Sequence, residues 1–223
     1  GMTGMTALHI AAVAPADPAA GNPFLALPFG VAINRQGKRF IDESRGYVAV
    51  GKATMAQPEQ TIALVLPEEA FNLQAPQLSA ATFRKLNQTI VEANSAEEMA
   101  AKLEVPVANF VATVNEFNAK VEAGNKAPGA MPPKNGFAYK LAGKLYAFTP
   151  LKPGITLTFG GIAINPRAQA LESDGRVVKG LFACGEGAGA LYFDDYIGGG
   201  SLINCLVMGR VAGASAAAAT KDA

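Results

Sequence analysis

The residues best equipped for chemistry lie near the C-terminus, in GLFACGEGAGALYFDDYIGGGSLINCLVMGRVAGASAA, from Gly180 to Ala217. An apolar strand ends in Gly185, a carboxylate follows at once in Glu186, and the surrounding glycines let the backbone lie against something flat or bulky. After a loop of aromatic and acidic side chains, Gly199, Gly200, Ser201 and Leu202 open a long helix. Its first N–H groups and its dipole form a place for negative charge. In that order the parts imply a ligand with an anionic edge. Taken singly, the glycines only close turns and permit tight packing, and Ser201 is an ordinary helix cap. Asp194 and Asp195 read as loop acids, since two adjacent carboxylates alone do not make a magnesium site.

Composition narrows the chemistry further. The chain has 223 residues, 50% hydrophobic and 17% charged, enough to bury a core and too apolar for a disordered segment. A net charge of +1 without a Lys/Arg cluster gives no footing for nucleic acid or an acidic membrane surface. No apolar run is read as reaching the roughly 20 residues of a membrane span, and GMTGMTALHI lacks the order of a secretory signal. The expectation is a soluble, cytoplasmic protein. Cys184 and Cys205 stand far from any CxxC spacing and read as buried thiols, and His9 is the single histidine. Zinc, disulfide and serine-triad chemistry are therefore excluded, and no metal site is expected.

The elements that must position these residues are marked by 24 glycines and 14 prolines. Residues 14–28 form an irregular loop, and Val31 to Asn34 and Arg39 to Ile41 flank the turn NRQGK as a hairpin. Thr61 to Leu66 is a buried strand, and Ser79 to Asn87 a short helix. Ser95 and Glu98 form a capping box opening a helix to about Leu103. Val107, Phe110, Val111, Val114, Phe117 and Val121 recur at helical spacing up to Gly124. Asn125 to Gly143 is a long loop. Strands interrupted at Pro153–Gly154 and Gly160–Gly161 follow, then a turn at Ser173 to Gly175 and a short buried strand at Leu181 to Cys184. The fold class is α+β, a module over about 29–149 framed by two pieces of another domain, 1–28 and 150–223.

GLFACGEGAG followed by YIGGGSL and a GRVAG helix resembles the C-terminal FAD segment of the fumarate reductase and succinate dehydrogenase flavoprotein superfamily. INRQGKRFIDES, Ile33 to Ser44, resembles the start of that superfamily's capping domain, and PGITLTFGGIAIN, Pro153 to Asn165, the strand pair re-entering the FAD domain. By motif the nearest branches are the tricarballylate dehydrogenases and 3-ketosteroid dehydrogenase-like proteins. The resemblance implies a capping domain inserted in an FAD-binding α/β domain, with Gly185, Glu186, Gly199, Gly200, Ser201 and Leu202 on the cofactor. It also implies a small-molecule substrate between cap and flavin, hydrogenated or dehydrogenated at a carbon–carbon bond beside a carbonyl or carboxylate.

Departures from the fumarate reductase pattern bear on the substrate. The superfamily's substrate histidine before the TxGG string falls on Leu157, its arginine in the RLGG string falls on Tyr196, and the acid–base pair ahead of the hairpin is replaced by apolar residues, Leu25 to Phe29. Tyrosines at matching places in the ketosteroid branch polarise a carbonyl and take a proton, which implies catalytic roles for Tyr196 and Tyr47, with Arg45 nearby. No GxGxxG followed by a helix and a distal acid occurs, so the N-terminal βαβ unit that holds the ADP half of FAD is missing. The chain thus reads as starting mid-domain. Its partner would be a polypeptide carrying the N-terminal FAD half, and FAD would belong to the complete enzyme. The alternative is a non-catalytic piece that folds and self-associates. The isolated chain is expected to be colourless, and to form oligomers or domain-swapped dimers through residues 2–14 and the last helix. A stoichiometric flavin absorbance band would overturn the first expectation, and light scattering showing a monomer at every concentration the second.

Overall fold

The computed structural model describes residues 2–3, 6–12, 23–189, 191–192 and 197–220. In chain order the elements are β1 (Met2–Thr3), β2 (Thr6–Ala12), β3 (Val31–Asn34), α1 (Tyr47–Thr54), β4 (Ile62–Pro67), α2 (Glu68–Phe71), α3 (Gln74–Lys85), β5 (Ile90–Ala93), α4 (Ala96–Lys102), α5 (Val107–Lys120), β6 (Leu145–Thr158), β7 (Gly161–Ile162), β8 (Gln169–Leu171), β9 (Val177–Phe182) and α6 (Gly200–Ala219). The mixture of helix and sheet is α+β. Two compact units result, residues 9–154 and residues 1–8 with 155–223.

The larger unit is built on a sheet ordered β2-β6-β4-β3, with β5 also on β6. β4 and β5 both pair antiparallel with Leu145 to Phe148 of β6, one on each edge, and β3 pairs antiparallel with β4. All six residues of β4 are buried, because successive side chains enter two different cores. Ala63 and Val65 face Met99, Phe110, Val114 and Phe117 of α4 and α5. Ile62, Leu64 and Leu66 join Val50, Phe71 and Phe83 from α1, α2 and α3. This is why TIALVL shows no polar alternation: the strand is covered on both faces. Phe83 meets Phe148 edge-on at 4.7 Å, and Phe71 stacks on Tyr146 at 3.9 Å.

Most of the sequence-derived elements take their expected places, with informative differences. The hairpin turn forms through Asn34, whose Oδ1 accepts from the N–H groups of Gln36 and Lys38 while Ile33 bridges Arg39. Gly37 turns at φ 73°, and a Cβ there would press on the α5 backbone. Ser95 accepts from Glu98 N–H, but the Glu98 carboxylate takes the N–H of Asn94, one residue before the cap. β6 runs straight through Pro153–Gly154 instead of breaking there, and β9 begins at Val177, ahead of the expected strand. α1 and β5 were not anticipated: α1 follows Gly46 at φ 90° and holds a glycine and two valines, which obscure a helical pattern. Against the expectation from sequence, an apolar run does reach membrane-span length. α6 is long and apolar enough by length and composition, although Arg210 sits halfway along it.

A buried ionic cluster joins the hairpin to the loop at 125–143. Glu43 and Lys134 are both fully buried, with Lys134 Nζ 3.0 Å from Glu43 Oε2 and donating to the Gly30 carbonyl at 2.8 Å. Arg39 donates to the same carboxylate through Nε and Nη2, each at 3.0 Å, and reaches the carbonyls of Pro132 and Pro133. The Ala32 N–H completes the set at 2.8 Å. Burial holds the Lys134 ammonium below lysine's ordinary pKa, against the opposing pull of Glu43. Replacing Glu43 by Gln strands two cations without their counter-charge. The expected loss is about 3–5 kcal/mol in urea unfolding followed by circular dichroism, and a loss within experimental error would refute the role given to the cluster.

Candidate functional site

In the smaller unit the glycine-rich segment folds as a close-set backbone cradle. β9 delivers the chain to a single 3-10 turn, Gly185–Gly187, whose first residue sits at φ 67°. The turn is fastened to the β6–β7 corner: Thr158 Oγ1 donates to the Glu186 carbonyl at 3.3 Å, Gly189 N–H donates to Ile162 O at 3.0 Å, and Ile162 bridges Ala188. The approach is so tight that a Cβ on Gly161 would overlap the carbonyl of Gly187. This is the physical reason for the second glycine of TFGG.

α6 starts beside this turn, and Cys205 Sγ lies 3.6 Å from where a Cβ of Gly185 would stand. Gly199 precedes the helix in the left-handed region at φ 82°, so the cap is backbone alone, without a side-chain hydrogen bond. A Cβ on Gly200 would strike the Tyr192 hydroxyl. Ser201 Oγ is buried and has no hydrogen-bond partner among the described residues. A buried hydroxyl without a partner costs about 1–3 kcal/mol, so its placement in the first turn of α6 fits a group that brings its own acceptors. The Glu186 carboxylate is exposed next to this start. Gly185, Glu186, Gly199, Gly200, Ser201 and Leu202 therefore belong to one locality. Ser201 is not a cap, as its hydroxyl accepts nothing from the first turn.

Arg45 and Tyr47 come together in the larger unit. Asp42 caps a 3-10 turn, Glu43–Arg45, through Oδ1 to Ser44 N–H at 3.0 Å, and Gly46 then turns the chain into α1, whose first residue is Tyr47. Arg45 is exposed, while Tyr47 is half-buried with its ring edge-on to Phe24, centroids 6.0 Å apart. Tyr196, Asp194 and Asp195 lie outside the described residues, as does the side chain of His9. The expectation of two buried thiols fails: Cys184 is exposed and Cys205 half-buried, because among the described residues β9 pairs only with β8, and Leu181 near Cys184 is open as well. No group of three or more potential metal ligands occurs among the described residues. Sequence reading missed the Arg39–Glu43–Lys134 cluster, although RFIDE does place Arg39 and Glu43 four residues apart.

The family resemblance carried by the motif order agrees with comparison to known proteins. A family described as FAD binding domain matches residues 5–202. The chain belongs to this FAD binding domain family. It is 31% identical to the NADH:acrylate oxidoreductase of Vibrio harveyi over 83% of this chain and 18% of that protein. It is 30% identical to a fumarate reductase of Schizosaccharomyces pombe over 92% of this chain and 40% of that one. Among solved structures, the open conformation of a flavocytochrome c3 fumarate reductase aligns with a TM-score of 0.68 at 25% identity, covering 98% of this chain and 38% of the other. The chain thus spans well under half the length of these relatives.

The cradle makes one sharp demand. Gly161→Ala should push β7 and the Gly185–Gly187 turn apart and cost about 1–3 kcal/mol, the usual penalty for an overpacked contact. Gly187→Ala, which would meet nothing within 4 Å, should be tolerated. Equal unfolding midpoints for the two variants would disprove the close approach.

Proposed function

We propose that this chain forms part of an FAD-dependent oxidoreductase that adds or removes hydrogen across a carbon–carbon bond beside a carbonyl or carboxylate, resembling the tricarballylate dehydrogenases. Residues 29–149 would be its capping domain, and 1–28 and 150–223 segments of its FAD domain. The observation that carries the reading is the orphaned, buried Ser201 hydroxyl at the mouth of a glycine cradle, in a chain of this family. Bound FAD supplies the two-electron chemistry. The chain's residues would hold it through the backbone N–H groups of Ser201 and Leu202 and the carboxylate of Glu186, with the glycines admitting its bulk. A separate polypeptide or segment would supply the dinucleotide half.

Tyr196 takes the place of an arginine in the fumarate reductase pattern. A guanidinium binds a carboxylate through two parallel hydrogen bonds, whereas a phenol donates one to a carbonyl or, with its pKa lowered from about 10, exchanges a proton. Tyr196 is therefore assigned to polarise the substrate oxygen and move a proton, with Tyr47 assisting and Arg45 holding a carboxylate. In the complete FAD-loaded enzyme, Tyr196→Phe should leave flavin binding intact and lower turnover roughly 10²–10⁴-fold, the usual range for a lost general acid or base. Wild-type turnover in that variant, measured with the best available substrate, would reduce Tyr196 to a packing residue.

A further inference from the structure

Asn135 and Gly136 form the one Asn-Gly pair in the sequence. They lie in the long loop of the larger unit, between two fixed points. On one side Lys134 exchanges backbone hydrogen bonds with Ala127 in both directions while its ammonium is buried against Glu43, and on the other the Ala138 N–H donates to the Asn125 carbonyl. Between these points the backbone is open. The Gly136 N–H has no hydrogen-bond partner among the described residues, and a Cβ at Gly136 would meet nothing within 4 Å. Asn135 is exposed, and its Nδ2 donates to Asp42 Oδ2 at 3.2 Å. Asp42 uses its other oxygen on the 3-10 turn Glu43–Arg45, accepting from the Ser44 N–H at 3.0 Å and the Ser44 hydroxyl at 2.6 Å. The Asn135 amide is thus the donor that lets this part of the loop lie against a carboxylate.

We propose that Asn135 is a site of spontaneous modification, converting to aspartate or isoaspartate, and that the conversion loosens the loop from the Asp42 turn. The Gly136 amide nitrogen attacks Cγ of Asn135, the new N–C bond closes a cyclic imide, and ammonia leaves with the proton from that nitrogen. Water then opens either carbonyl of the imide, which gives aspartate with the original backbone or isoaspartate with the main chain routed through the side chain. One water is consumed, one ammonia is released, and nothing is oxidised or reduced. Glycine favours the attack because it has no Cβ to obstruct the approach and its backbone turns more freely than that of any other residue. Afterwards two carboxylates face each other where a donor faced an acceptor, and like charges so close repel. Arg39 and Lys134, the cations of the buried cluster, already serve Glu43 and backbone carbonyls. The change is one-way, and it holds whether or not the chain carries flavin.

The purified chain is aged in mildly alkaline buffer and digested, and mass spectrometry reads the fraction of Asn135 converted, with an isoaspartate-specific methyltransferase reporting that product. Conversion should concentrate at Asn135. Gly136→Ala, for which the fold has room, should slow it at least roughly 10-fold by obstructing the attack. Asn135→Asp stands for the product. Its cleavage by chymotrypsin at the exposed Phe137 should speed up roughly 10-fold, the population change expected when one hydrogen bond to a charged group is lost. Combining Asp42→Asn with Asn135→Asp exchanges the two groups, restores a donor opposite a carboxylate and should return cleavage to the wild-type rate. An Asn135 that keeps its amide as long as the other asparagines do, or a conversion rate unchanged in Gly136→Ala, overturns the modification. Wild-type cleavage of Asn135→Asp overturns the loosening, and an exchange variant cleaved as fast as Asn135→Asp refutes charge repulsion as its cause.

Discussion

The larger unit depends on one carboxylate. Glu43 is fully buried and accepts from Arg39, Lys134 and the Ala32 backbone, so it holds the hairpin strand, the turn before α1 and the long loop at a single point. A lone ionised acid could not remain in this interior. Two cations permit it, and Asp42 adds negative charge beside Lys134. Arg39 also lies 5.3 Å over the Phe117 ring, which links the cluster to α5 and to the core on that side of the sheet.

Polar order beneath the turn and open chemistry above it go together. The backbone from Asp42 to Tyr47 is constrained by the Asp42 cap, the Glu43 cluster and Gly46, so Arg45 and the Tyr47 ring are presented from a rigid base rather than a loose loop. The smaller unit achieves a similar result by other means. There Gly161 lets β7 approach the Gly185–Gly187 turn to a distance that any side chain would prevent, and the Ser201 hydroxyl is left without a partner among the described residues.

Local signals were legible where one pattern had one meaning. The capping box at Ser95, the Phe110–Val114–Phe117 stripe of α5 and the Asn34 turn could be read because caps, helical spacing and Asx turns are short-range. The glycine cradle was legible as a motif, although its cause, the Gly161–Gly187 contact, joins positions far apart in sequence. Lys134 was illegible for the same reason: in PPKN it reads as a loop lysine, and only the fold brings it to Glu43, 91 residues away. The exposed cysteine and the open face of β9 could not be anticipated either, since burial of an apolar strand depends on what covers it.

The Ala32 N–H lies in β3, at the end of the sheet order, and donates to a side chain instead of a neighbouring strand's carbonyl. Breaking that bond requires the carboxylate to leave its pocket, and the carboxylate is held by groups on the hairpin and on the loop at once. Partial opening of any one of these segments would expose unpaired charge inside the protein, so the intermediate states are costly. Hairpin, turn and loop should therefore open together or not at all, as a single cooperative unit.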